Sequence, residues 1–118
     1  MTMVEAQVEA DLLERTRAIV PALRERTEEA AALRRVPAEN IALLREAGSL
    51  KTIQSTRNGG YGLGIRAHLD TVAILAEGCA STAWCAGVIQ AHSWMLSHFP
   101  VEAQDEVYAA NPDAESED

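Results

Sequence analysis

Three histidines, two cysteines and two tryptophans carry most of the chemistry open to this sequence. His92 is the first candidate. In helical projection it shares one arc with Trp84, Val88 and Leu96, about the width of a packed face. An imidazole in a dry pocket can donate or accept a proton near neutral pH. A histidine among apolar neighbours is otherwise a satisfied core residue. The residues alone leave both readings open. His68 and His98 read as surface or rim positions. Trp84 and Trp94 read as core packing, with a stacked flat ligand as the functional alternative.

Other combinations fail on spacing. Cys79, Cys85, His92 and His98 tempt a zinc reading, but knuckle cysteines must be close and their histidines about one turn apart. Each pair here is six apart, and one helix cannot converge Cys85, His92 and His98 on a point, so no metal site is expected. Gly60, Gly62 and Gly64 imitate part of a dinucleotide fingerprint. The second gap is one residue too short, and no parallel-strand unit precedes it. The loop reads instead as a helix-to-helix turn needing positive φ. Ser81, Ser93 and Ser97 lack a nucleophile elbow. The carboxylates fall mainly on solvated helix faces.

The elements that must hold these residues are helical. From Glu5 to about Arg35, Leu12, Leu13, Ile19, Val20, Leu23 and Ala30 form one apolar stripe. Glu14, Arg17, Arg24, Glu25 and Glu28 lie off it. Pro21 sits inside this run and predicts a kink or short break near Ile19–Pro21. A second helix starts at Val36-Pro37-Ala38-Glu39 and stops at Gly48. Leu50 and Ile53 suggest a short extended piece. Residues 58–64 then hold four of the seven glycines and mark a loop. A third helix runs from about Arg66 to Glu77. Its apolar content predicts burial on most sides. A fourth, capped by Ser81 or Thr82, runs to about Phe99. A last short helix follows Pro100 to about Ala110.

No Lys, Arg, Asp or Glu lies between Gly78 and Val101. Gln90, His92, Ser93, Ser97 and His98 interrupt that run, and acidic residues flank it. It therefore reads as the centre of a core, not a membrane span. The net charge of −8 disfavours a nucleic-acid partner. Composition is globular, and abundant Ala and Leu favour helix. The expected architecture is all-α, a bundle of about five helices. The N-terminus does not read as a signal peptide, and Cys79 and Cys85 read as buried apolar residues. A cytoplasmic location is expected.

Several segments recur in a telling order: Leu43-Leu44-Arg45-Glu46-Ala47-Gly48, Asn58-Gly59-Gly60-Tyr61-Gly62, Ile74-Leu75-Ala76-Glu77-Gly78-Cys79-Ala80-Ser81-Thr82-Ala83-Trp84, and His92-Ser93-Trp94 followed by Phe99-Pro100. The ordered set resembles the N-terminal helical domain of the acyl-CoA dehydrogenase fold. Within it the chain is most similar to two-component flavin-dependent monooxygenases that hydroxylate aromatic compounds. Ser93 departs from a proline common in relatives, and Asn58 from an aromatic residue.

The segment 111–118 is acidic and expected to be a disordered tail. The resemblance implies a helical domain over 1–110, and a β-domain and helical bundle that a longer relative would carry. It thus implies a C-terminally truncated piece with little activity of its own. It also implies reduced FMN or FAD, a flavin reductase and a small aromatic substrate for the full-length family. His92 would be catalytic, with Trp84, Val88 and Leu96 lining the flavin and substrate pocket. Two alternatives stand beside this reading. One is the N-terminal domain of an acyl-CoA dehydrogenase proper. The other is a non-enzymatic helical module that self-associates through an apolar face on residues 66–99.

Overall fold

The computed structural model describes residues 2–109. Ala110 and the acidic segment 111–118 lie outside the described residues. The described residues form six α-helices and one turn of 3-10 helix, with no strand: α1 (Met3–Glu25), α2 (Thr27–Leu33), α3 (Ala38–Ala47), the 3-10 turn Thr56–Asn58, α4 (Ile65–Gly78), α5 (Ala80–Leu96) and α6 (Val101–Tyr108). The helical class agrees with expectation. The sixth helix arises because the long first run divides in two.

That division falls at Arg26, not near Pro21. Helix α1 passes through Pro21 without interruption. Pro21 lies on the exposed side, where water can serve the Arg17 carbonyl that the missing N–H leaves unpaired. The chain instead leaves helical geometry at Arg26 (φ −99°, ψ 13°). The Thr27 hydroxyl there donates to the Arg24 carbonyl, a local bond that competes with continuation of the helix. At the other end of α1, Thr2 and Glu5 form a reciprocal capping box.

Helix α3 follows the expected signals. Pro37 precedes its first turn, and Gly48 ends it in the left-handed region (φ 83°). The following segment is not extended. It folds back on itself through Tyr61 N–H to the Lys51 carbonyl (3.0 Å), Gly62 N–H to Gln54 (2.9 Å) and Leu63 N–H to Thr52 (2.9 Å). The glycine loop is a turn, with Gly62 at φ 60°. Gly60 is needed for space: an added Cβ would stand 2.2 Å from the Gln54 carbonyl oxygen.

Helix α1 packs against α3 and α4, and α4 packs along α5. Leu23, Leu44, Leu50, Leu75, Cys79, Ala83 and Ala86 meet in the core between them. Helix α4 buries one side only, through Ala67, Thr71, Ile74, Leu75 and Gly78. Its opposite side leaves Ile65 and Leu69 mostly exposed. Burial on most sides is therefore corrected: α1 and α5 cover one stripe, and nothing among the described residues covers the other.

Helix α6 is tied to the loop by side chains. Asn58 donates to Gln104 (3.0 Å). Arg57 Nη2 donates to both carboxylate oxygens of Asp105 (3.0 and 3.2 Å). Gln104 also donates to the Phe99 carbonyl (2.8 Å).

Candidate functional site

Helix α5 carries every site residue that the sequence nominates. It begins directly after α4, with only Cys79 between them in extended geometry (φ −158°, ψ 114°). Cys79 is the N-cap, so neither Ser81 nor Thr82 caps the helix. Thr82 is fully buried and accepts from Asn40 Nδ2 at 3.0 Å, which ties α5 to α3. Cys79 is buried, as expected; Cys85 is half-buried. Burial pushes the Cys79 thiol up, but hydrogen bonds from the side chains and backbone N–H groups of Thr82 and Ser81 outweigh it. Its pKa is lowered in consequence.

The inner face of α5 is formed by Thr82, Ala83, Ala86, Gln90 and Ser93. The row Trp84, Val88, His92, Leu96 runs along the other side, advancing about 40° per step. Trp84 is 75% exposed. His92 is exposed, while Val88 and Leu96 are half-buried. The four residues do share one face, but it looks out of the bundle. Reading α5 as the centre of the core is thus corrected. Its apolar content divides between a core face and an outward face that Met95 extends.

Trp94 is half exposed and stacks edge-on against His98, with ring centroids 4.5 Å apart. Among the described residues, no group of three or more His, Cys, Asp or Glu side chains is placed to hold a metal ion. No helix among them is long and apolar enough to cross a membrane.

Comparison with known proteins identifies relatives of the chain. The chain is 44% identical over 88 residues to the oxygenase component of FADH(2)-dependent resorcinol hydroxylase from Rhizobium sp. (strain MTP-10005), a match covering 75% of this chain and 21% of that protein. It is 36% identical over 103 residues to the oxygenase component of p-hydroxyphenylacetate 3-hydroxylase from Acinetobacter baumannii, covering 87% and 24%. The crystal structure of 3-HSA hydroxylase from Rhodococcus sp. RHA1 superposes with a TM-score of 0.86 at 32% identity, covering 89% of this chain and 27% of that one. The chain is a homologue of the oxygenase components of flavin-dependent aromatic hydroxylases. It spans about a quarter of the length of these relatives, their N-terminal part. No protein-family model matches it.

Among the described residues, a buried polar network joins groups that spacing did not nominate. Gln90 is fully buried on α5. Its Nε2 donates to the Ser49 carbonyl at 2.7 Å, and its Oε1 lies 2.9 Å from His68 Nδ1 on α4. A donor at Nε2 identifies the other amide atom as the acceptor oxygen. His68 must therefore carry its proton on Nδ1 when neutral. The network continues inward. Thr16 on α1 meets the Ser49 hydroxyl at 2.8 Å and donates to the Leu12 carbonyl at 2.8 Å. Thr71 on α4 donates to the Ala67 carbonyl at 2.7 Å. His68 is thus half-buried and bonded across two helices, more engaged than a rim residue. In the sequence, the only sign of this network is that Gln90 interrupts an apolar run.

Proposed function

We propose that this chain forms the helical N-terminal part of a flavin-dependent monooxygenase that hydroxylates an aromatic substrate. The outward row of α5 carries the reading, in a chain homologous to hydroxylase oxygenase components. Trp84 and Val88 offer an apolar wall for one side of a flat ring system and keep water from it. Leu96 closes the far end of the row. His92 lies about 12 Å along the axis from Trp84. At that point its imidazole can hold or move a proton at a substrate hydroxyl. The row fits one wall of a flavin site, because it is apolar, uncharged and open. Bound reduced flavin would supply the activation of oxygen.

The name of the resorcinol relative specifies FADH(2), which favours FAD over FMN. A separate flavin reductase would deliver it, and a cytoplasmic location accompanies this reading. The described domain supplies only one wall, so the chain by itself should form no hydroxylated product.

A chimera tests the assignment. This chain would replace the corresponding N-terminal part of the resorcinol hydroxylase oxygenase component, assayed with a flavin reductase and a phenolic panel. The chimera should hydroxylate, and His92→Ala should lower kcat by at least about a hundredfold with little change in flavin affinity. A folded, flavin-loaded chimera without product would overturn the hydroxylase reading. Full activity of H92A would overturn the role of His92.

On its own, the chain should self-associate through the outer face of α4 and α5, where Ile65, Leu69, Trp84 and Met95 are all more than half exposed. Sedimentation should show a dimer that grows with concentration and is weakened by Leu69→Glu. A monomer at all concentrations would remove this proposal.

A further inference from the structure

We propose that α6 is a latch: it swings as one body about the Ser97–Pro100 turn and is held shut by a polar clasp to the 3-10 turn Thr56–Asn58. The inference needs only described residues of this chain and is independent of the oxygenase reading.

Helix α6 stands outside the packing that holds the other helices. The hydrophobic cluster draws on α1 to α5 and on Leu50, with no residue from α6. The extensive helix contacts are those of α1 with α3 and α4, and of α4 with α5. On α6 itself only Gln104 and Tyr108 are buried, one turn apart on a single stripe. One of the two is polar, so little apolar burial fastens the helix.

The fastening is polar instead, and it comes from two places. At the clasp, Arg57 Nη2 reaches both Asp105 oxygens, and Asn58 donates to Gln104 Oε1. At the hinge, Gln104 Nε2 donates to the Phe99 carbonyl (2.8 Å) and the Ser97 carbonyl (3.2 Å). Gln104 thus joins hinge and clasp through one side chain. The catch is fixed from behind. Buried Gln54 donates to the Asn58 carbonyl (2.8 Å), and its own carbonyl accepts from Gly62 N–H (2.9 Å). A fixed catch facing a lightly packed arm is the arrangement of a latch.

Opening costs little by the same account. A cleft of about 340 Å³ already runs along the seam, with Arg57, Gly59, Asp105 and Tyr108 among its lining residues. Water entering there replaces the polar bonds, and Tyr108 is the one large ring laid bare. Such an opening is a local event, far below global unfolding in cost. It has one further effect. The Ser97 and Phe99 carbonyls lose Gln104 when α6 leaves, so shutting the latch steadies the end of α5 behind Leu96.

Hydrogen exchange of the full chain, resolved by NMR, tests this. The amides from Gln104 to Tyr108 should share one opening constant, at least about a hundredfold larger than that of the core amides around Leu75. Urea below the unfolding midpoint should speed the core amides and barely change α6, because opening the latch exposes little surface. Asn58→Ala should raise the α6 constant about fivefold and leave α4 unchanged. Asp105→Asn should raise it about twofold or more. Salt at about 0.5 M should loosen the unaltered latch in the same direction and act much less on D105N. If N58A does not fold, the salt response and D105N, at an exposed site, still decide. Exchange graded from Tyr108 back to Gln104 would be simple fraying and would overturn the proposal. So would α6 amides that exchange with the core, or variants that speed α4 and α6 alike.

Discussion

Replacing Leu75 with alanine should destabilise the domain by about 2–5 kcal/mol, whereas Leu69→Ala, on the same helix, should cost less than about 1 kcal/mol. Leu75 is fully buried and packs in the cluster with Leu23, Leu44, Leu50, Ala83 and Ala86. Truncation there loses the transfer free energy of the removed carbons and leaves a cavity that the surrounding helices fill only in part. Leu69 is 59% exposed on the opposite side of α4, so its truncation removes little buried surface. A domain of this size has about 5–15 kcal/mol in total, and L75A could therefore leave it barely folded. Urea unfolding followed by circular dichroism measures both, with the midpoint shifting at constant slope. Equal losses at the two sites would mean that the core is not where the packing puts it. The contrast also bears on function. If α4 presents its outer side to the rest of a larger oxygenase fold, L69A becomes costly only when that partner surface is present, as in the chimera.

What was legible in the sequence depended on range. Gly48, Pro37 and Pro100 act on their own turn of backbone, and each ends or begins a helix where expected. Pro21 obeys an equally local rule, yet exposure of its carbonyl partner's side let the helix continue. The break at Arg26 has no glycine or proline to announce it. Apolar content marks α4 and α5 as needing neighbours, but only packing shows that α4 is covered on one side. Hence the row Trp84, Val88, His92 and Leu96 is legible in the sequence as a row, while its exposure is not. The buried polar groups were the least legible. Thr16 meets Ser49, 33 positions away, and Asn40 meets Thr82, 42 positions away. Periodicity carries no signal for such pairs, since a polar residue on an apolar stripe looks like a defect until its partner is known.

Gln90 offers the sharpest test of that polar network. Methionine at this position keeps the length and much of the shape of the side chain but removes both hydrogen bonds. Gln90→Met should cost about 2–4 kcal/mol, because His68 Nδ1–H loses its partner and the Ser49 carbonyl keeps only the longer bond from the Thr52 hydroxyl (3.3 Å). The Ser49 side of the network is fully buried, so water cannot readily replace the lost donor. His68 reports the change directly. With Gln90 present, its imidazole should show the Nδ1–H tautomer by nitrogen-15 NMR when neutral. In Q90M that preference should disappear. The two effects must be coupled if one chain of bonds joins α4, α5 and the segment after α3. His68→Leu alone should leave Gln90 Oε1 unserved, and the H68L/Q90M double variant should lose less than the sum of the single losses, by about 1 kcal/mol or more. Strict additivity would show that His68 and Gln90 are neighbours without a shared bond. His92 lies two residues beyond Gln90 on the same helix, so a loosened Gln90 would also free the rotation that sets the outward row. In the chimera, Q90M should then lower kcat beyond what its lost stability explains, and it should do so without touching the flavin or the substrate.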